Sequence, residues 1–274
     1  MRHIWLLGAL RVEATAGPIP ISGSKVQSLL AFLLLHPHLP HTREYLADLL
    51  WPDAPPNRVR RNFSDTLYRL RQRLGEAWLL VEPDTVALNP SADLWVDVWE
   101  FEQLLQAGDL TTLTRAVELY SGDLLPEIYD DWILTRRVNL RERYLAALEK
   151  LVEAHQAQNH LPQALRYARC LIRAEPLGEH NHQAYLRLLG RLRHRNEALV
   201  HYHYLQALLQ RELGLDPMPE TQAIIASIQQ EMALPDSTPA PIERIPFVGR
   251  AQERSTLRRQ PKPPSEPTGG TQSP

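Results

Sequence analysis

The chain has 274 residues, 43% hydrophobic and 23% charged, with 30 Lys and Arg against 32 Asp and Glu. That length accommodates two domains with a sizeable core, and the composition is that of an ordinary globular protein, so a collagen-like or wholly disordered chain is excluded. A net charge of −2 creates no global field toward nucleic acid, so any such attraction must come from a local cluster. The single cysteine, Cys170, excludes an intrachain disulfide framework and fits a buried thiol in a reducing, cytoplasmic setting.

The opening "MRHIWLLGALRVEATAG" has the apolar run of a secretion signal, but Arg11 and Glu13 interrupt it, and the run is too short to span a bilayer. It reads as a strand entering a hairpin, with Gly17, Pro18 and Pro20 as turn residues. "SKVQSLLAFLLLHPHLP" places Val26, Leu29, Leu30, Leu33 and Leu34 at helical spacing, and Pro37 ends it. A second helix follows in "HTREYLADLLWPDAPPN", with Thr42 as N-cap, an apolar face of Tyr45, Leu46, Leu49 and Leu50, and a Pro-rich connection after Trp51.

"RVRRNFSDTLYRLRQRLG", Arg58 to Gly75, gathers six arginines and one acidic residue. At ~100° per residue, Val59, Phe63, Leu67, Leu70 and Leu74 fall on one stripe, while Arg58, Arg61, Asp65, Tyr68, Arg69 and Gln72 fall opposite. Asn57 suits an N-cap and Gly75 a C′ position. "WLLVEPDTVALNP" then carries two apolar runs around "EPD", which predicts a β-hairpin from Trp78 to Asn89. Strands, three helices and a hairpin are the order of an OmpR-like winged helix-turn-helix, in which the third helix enters the major groove and the hairpin is the wing.

From about Asp93 the pattern is almost entirely helical. "NHLPQALRYARCLI" aligns with "RHRNEALVHYHYLQ" at an offset of 34, matching Ala164 to Ala198, Leu165 to Leu199, Leu151 to Tyr185 and His160 to His194. This is the tetratricopeptide period, in which stacked helix pairs bury a shared face and leave a groove for another protein. The predicted fold class is therefore mainly α with a small β part. Its domains are a winged helix over 1–92, a tetratricopeptide-like domain over 93–234, and a Pro-, Ser- and Thr-rich linker and disordered tail over 235–274.

Eleven histidines raise a metal hypothesis, chiefly at His36, His38 and His41 and at His201 and His203. The first trio lies in a Pro-rich turn without a supporting acidic set, and His201 and His203 point about 200° apart on a helix, so no metal is expected. "NFS" at Asn62 is a glycosylation sequon without meaning in a cytoplasmic helix. Asp130 and Asp131 beside Trp132 read as a turn and helix cap. No spacing argues for catalysis, so neither an enzyme nor a cofactor is expected.

The ordered motifs "WLLGALRVE", "KVQSLLAFLLLHP", "TREYLADLLWPD", "RNFSDTLYRLRQRLG", "DVWEFEQLL", "LYSGDLLPEIYDDWI", "RERYLAALEKLVEAH" and "ELGLDPMPETQAI" resemble the antibiotic-regulatory-protein (SARP) family of bacterial transcription activators, over about Met1 to Met232. The resemblance implies a winged helix that binds double-stranded promoter DNA, followed by a bacterial transcriptional activator domain (BTAD). It also implies a homodimer or paired protomers on direct repeats, recruiting RNA polymerase through its sigma factor. The family's DNA-contacting positions carry over to Arg61, Asn62, Thr66, Tyr68 and Arg69 on the third helix, with Arg58 and Asp65 on the same face. Thr42, Arg43 and Trp51 match positions that meet phosphates. Two residues of the wing, Glu82 and Asp84, depart from the family pattern and oppose phosphate. Asp65 can accept from a cytosine amino group or pair with Arg61 or Arg69. "PFVGRAQERSTLRR" resembles the start of the signal-transducing ATPase domain of larger regulators. A phosphate-binding loop needs glycines before a lysine, and none of Lys25, Lys150 and Lys262 follows a glycine. The segment thus reads as the remnant start of such a domain in a truncated product or a cut chain. A protein-binding adaptor and the stub of a signalling ATPase are the alternative readings.

Overall fold

The computed structural model describes residues 2–37 and 39–233, a mainly helical chain with two small sheets. The 235–274 tail, its ATPase-like opening and His38 lie outside the described residues. Strands β1 (Arg2–Trp5) and β2 (Arg11–Ala14) pair antiparallel, and β3 (Gly17–Pro18) pairs onto β2. Alternation sets their faces: Ile4 and Val12 are buried, and Arg11 and Glu13 are exposed.

Helix α1 (Ser24–Leu35) is buried nearly all round from Ser28 to Leu34, so it serves as the hub of the N-terminal core. Strand β4 (His41–Thr42) leads into α2 (Arg43–Leu50), α3 (Pro56–Leu74), one 3-10 turn (Glu76–Trp78) and the hairpin β5 (Leu79–Val81) and β6 (Thr85–Leu88). The second sheet runs β4-β6-β5. The expected hairpin is present, and its second strand is anchored to the entry of α2 through Thr42 opposite Thr85. This is the winged helix-turn-helix.

Two local readings are corrected. Helix α3 starts at Pro56 with Pro55 in the capping position and no side-chain cap, so Asn57 lies inside the first turn. A proline at the first helical position has its φ preset and no N–H to satisfy, which moves the start upstream of the better capping residue. Tyr45 is 50% exposed, because α2 packs through Leu46, Ala47 and Leu50. Thr42 does cap that helix, its Oγ1 accepting from Tyr45 N at 3.2 Å.

A strand that the helical pattern concealed, β7 (Leu94–Val96), lies parallel beside β1 with His3 opposite Trp95. Three residues are too few for alternation to show. Directly after it, Asp97 opens α4 (Asp97–Ala107) and is fully buried. Its carboxylate accepts from Leu6 N at 2.9 Å, Leu7 N at 2.8 Å and Val98 N at 2.7 Å, joining the end of β1 to the start of the helical region. Burial raises the Asp97 carboxyl above its ordinary value, against the pull of those amides.

The remaining helices are α5 (Leu110–Leu119), α6 (Asp131–Ala157), α7 (Leu161–Ala174), α8 (Glu179–Arg191), α9 (Arg195–Leu213) and α10 (Pro219–Ala233). One core runs from Ile4 to Leu140 and joins the winged helix to α4 and α6; a second, from Leu113 to Ile228, fills the repeat. The 34-residue offset extends to the backbone. Asn159 and Arg193, one offset apart, are both left-handed at φ 57 and 58. His160 N and His194 N bond back to His155 O and Leu189 O at 2.8 and 2.9 Å. Ala164 and Ala198 are both fully buried where the following helices pack.

Cys170 is half-buried, not buried as expected, with its Sγ 3.1 Å from an Arg173 nitrogen. Asp130 precedes α6 without capping it through its side chain, and its carboxylate pairs instead with Lys25 at 2.8 Å. Among the described residues, no helix is long and apolar enough to cross a membrane.

Candidate nucleic-acid interface

The apolar stripe of α3 is buried as its spacing predicts, with Val59, Phe63, Leu67, Leu70 and Leu74 each at most 4% exposed. Each such side chain contributes about 1.5–3 kcal/mol of burial, so the stripe fixes which way the helix faces. Arg58, Arg61, Asp65, Tyr68, Arg69 and Gln72 are exposed on the opposite side, Tyr68 at 62%. Arg58, Arg60, Arg61 and Arg73 form no ion pair or hydrogen bond through their side chains among the described residues. Arg69 is held by Asp65 at 2.9 Å one turn away, and Arg71 by Glu76 at 2.9 Å. The acid in the face is thus a partner for Arg69, the second of the two arginines considered from sequence.

The other expected positions divide. Asn62 is half-buried at the edge of the face. Thr66 is 6% exposed, which removes it from the outer surface and corrects its placement there: on the helical wheel it lies next to Val59, on the flank that closes over the core. Thr42 is exposed, its hydroxyl engaged by Tyr45 N. Arg43 is half-buried, its guanidinium 5.7 Å from the Phe63 ring centroid and its backbone N–H donating to Asp84 O at 2.9 Å. Trp51 ends α2 and packs partly into the core.

The sequence reading missed a flank. Arg60 and Ser64 line a cleft of about 640 Å³ with Thr42, Arg43 and Asp84, between α2, α3 and the hairpin turn. Ser64 Oγ donates to Arg60 O at 3.0 Å. Arg60 projects far from Arg61 on the wheel, so a reading of the side opposite the stripe passes over it; only the position of the hairpin turn draws it into the same surface. Glu82 stays on that turn and accepts from Thr85 Oγ1 at 3.2 Å. Behind the surface, burial and then the neighbouring His36 hold His41 below its ordinary value. Among the described residues, no group of three or more His, Cys, Asp or Glu is placed to hold a metal ion. His201 meets His182, with His182 Nδ1 and His201 Nε2 2.9 Å apart.

The helical region now has a counterpart among known proteins: residues 96–229 match the bacterial transcriptional activator domain. The Regulatory protein AfsR of Streptomyces coelicolor is 29% identical over 236 residues, covering 82% of this chain and 24% of that protein. The Transcriptional regulatory protein MoaR1 of Mycobacterium tuberculosis is 22% identical over 249 residues, covering 84% of this chain and 80% of that one. The chain spans about a quarter of the length of the Streptomyces relatives it matches. A solved structure entitled Mycobacterium tuberculosis EmbR in complex with low affinity phosphopeptide superposes with a TM-score of 0.64 at 21% identity, covering 84% of this chain and 65% of that one. A winged helix that shares one core with a segment matching the bacterial transcriptional activator domain defines the class of architecture. Over most of its length the chain is thus similar to regulators of the SARP type, the resemblance its ordered motifs carry.

Proposed function

We propose that the chain is a sequence-specific activator that binds promoter DNA through α3 and its flanks, as paired protomers on direct repeats, and recruits RNA polymerase through its sigma factor. In this division of labour residues 1–92 bind DNA and residues 93–234 form the activator domain. The observation that supports the reading is the exposed arginine face of α3, with Arg58 and Arg61 carrying no ion pair among the described residues and Arg69 held only by Asp65, set opposite a buried stripe. A helix that reads a groove needs an apolar back to dock on its scaffold and long donors on the outside to reach phosphates and base edges.

Arg58 and Arg60, near the start of α3, suit phosphates; Arg61, Tyr68, Arg69 and Gln72 suit base edges. Asp65 adds discrimination, because the Arg69 guanidinium must leave it, or share it, before reaching a guanine. The acidic hairpin turn contributes little charge attraction, so its contact is through backbone amides.

Selection from random duplexes by the full chain tests this reading. Enrichment of a repeated motif in direct orientation supports it, and recovery of sequences with no common motif at physiological salt refutes it.

A further inference from the structure

The segment between α5 and α6 is held far more firmly than a surface loop requires. Arg137 donates to Leu124 O, Leu125 O and Ile128 O, each at 2.7 Å. Leu125 N donates to Leu6 O at 2.9 Å, and Gly8 N to Asp123 O at 3.0 Å. Leu124, Leu125 and Ile128 are buried, and Asp130 is fixed by Lys25 at 2.8 Å. Between the pinned positions 128 and 130 stands Tyr129, 82% exposed. An aromatic ring left in water adds little to folding, yet its backbone is ordered on both sides.

Tyr129 borders a cleft of about 650 Å³ whose apolar wall includes Trp51 and Ala54, from the turn between α2 and α3, and Trp132 of α6. The rim is acidic. Asp48, Asp53 and Asp131 are exposed, and their carboxylates form no ion pair or hydrogen bond among the described residues. Lys25, the single cation lining the cleft, is already paired with Asp130.

We propose that this ledge docks an arginine-bearing segment of a partner protein. A guanidinium stacks on the exposed ring of Tyr129 and pairs with Asp53 and Asp131, a combination favoured by cation–π attraction and charge complementarity. The fixed backbone lowers the ordering cost of binding, which is how a single exposed aromatic becomes an anchor. Duplex phosphate is disfavoured by the same carboxylates. The inference deepens the proposed function and rests on it in one respect: the ledge adjoins the turn before α3 yet leaves the outer face of α3 free, so DNA and a protein can be held together.

The test uses the full chain and a fluorescein-labelled helical peptide of Ala, Leu and Arg, with a counterpart in which Glu replaces Arg, followed by fluorescence anisotropy. The arginine peptide is expected to bind, and Tyr129→Ala or the pair Asp53→Asn with Asp131→Asn to weaken it about tenfold or more. Tyr129→Phe is expected to retain binding, and circular dichroism checks that each variant is folded. In parallel, the parent and each variant are titrated with a duplex taken from the selection, and equal affinities are expected. The proposal is overturned if the parent binds neither peptide, if it binds both alike, or if the variants bind the arginine peptide as the parent does. Loss of duplex affinity in the Tyr129→Ala variant would make the ledge a nucleic-acid contact and also overturn it. A parent that binds the peptide but no duplex supports the ledge and refutes the DNA reading, so the two failures are told apart.

Discussion

Replacing His201 with Phe is predicted to flatten the acid dependence of stability. His182 is fully buried, and its Nε2 lies 2.9 Å from Pro176 O; that oxygen can only accept, so Nε2 donates and Nδ1 is left to accept from His201 Nε2. One proton fits between the facing nitrogens, so the two rings cannot both be charged. Burial first, and then His182, bring His201 from its ordinary 6.5 down to about 4, and burial also holds His182 below its ordinary value. Between those limits the unfolded chain binds the proton and the folded chain does not, so this stability is complete above the unfolded value and is lost as pH falls toward the folded one. The gap for His201 alone corresponds to at most about 3 kcal/mol, and to less once solvent screening of this half-buried ring is counted. Urea unfolding followed by circular dichroism, at steps from about pH 7.5 to about pH 4.5, should show stability falling with pH in the parent. The His201→Phe variant should have a shallower slope, the remainder coming from His182 and the other histidines held low by burial, while His203→Phe, at an exposed position, should keep the parental slope. The slope is the readout, because removing the hydrogen bond also lowers stability at neutral pH. A variant with the parental slope would refute the reasoning.

Asp97→Asn should lower the unfolding free energy by about 3 kcal/mol in urea titrations, because an amide presents an NH₂ group to backbone donors that the carboxylate satisfies. Thr42→Ala should cost about 1 kcal/mol by the same measurement, through loss of the cap on α2. Asp65→Ala should leave stability nearly unchanged, since its pair with Arg69 is exposed on both sides. It should also raise nonspecific duplex affinity and steepen the salt dependence by about one unit, read from titrations at several salt concentrations.

Much of this molecule was legible before its coordinates. The stripe from Val59 to Leu74 fixed the orientation of α3 because its spacing is helical and a complete apolar face admits one docking direction. The pairing of Ala164 with Ala198 located the repeat, since a stacked helix pair needs a small residue at the close approach. What failed was mostly long-range or too short to leave a pattern. Leu94, Trp95 and Val96 become a strand only because β1, some ninety positions upstream, offers an edge. His201 was compared with its neighbour His203, whereas its partner His182 lies across a helix boundary. The left-handed Arg193 carries no compositional signal, as arginine seldom adopts that region. Thr66 and Arg60 were misjudged in opposite directions because the edges of a helix face depend on what packs beside it. The exposed ring of Tyr129 is a property of the Arg137 anchor, which only the fold reveals.

Titrating the full chain with a selected duplex and a scrambled one, for the parent and for the Arg61→Ala and Arg69→Ala variants, addresses the central claim directly. Each substitution should keep the fold and reduce affinity for the selected duplex, by about 1–3 kcal/mol with relaxed preference at one base pair where the arginine reads a guanine. If both variants bind the selected duplex as tightly as the parent at physiological salt, α3 does not read DNA.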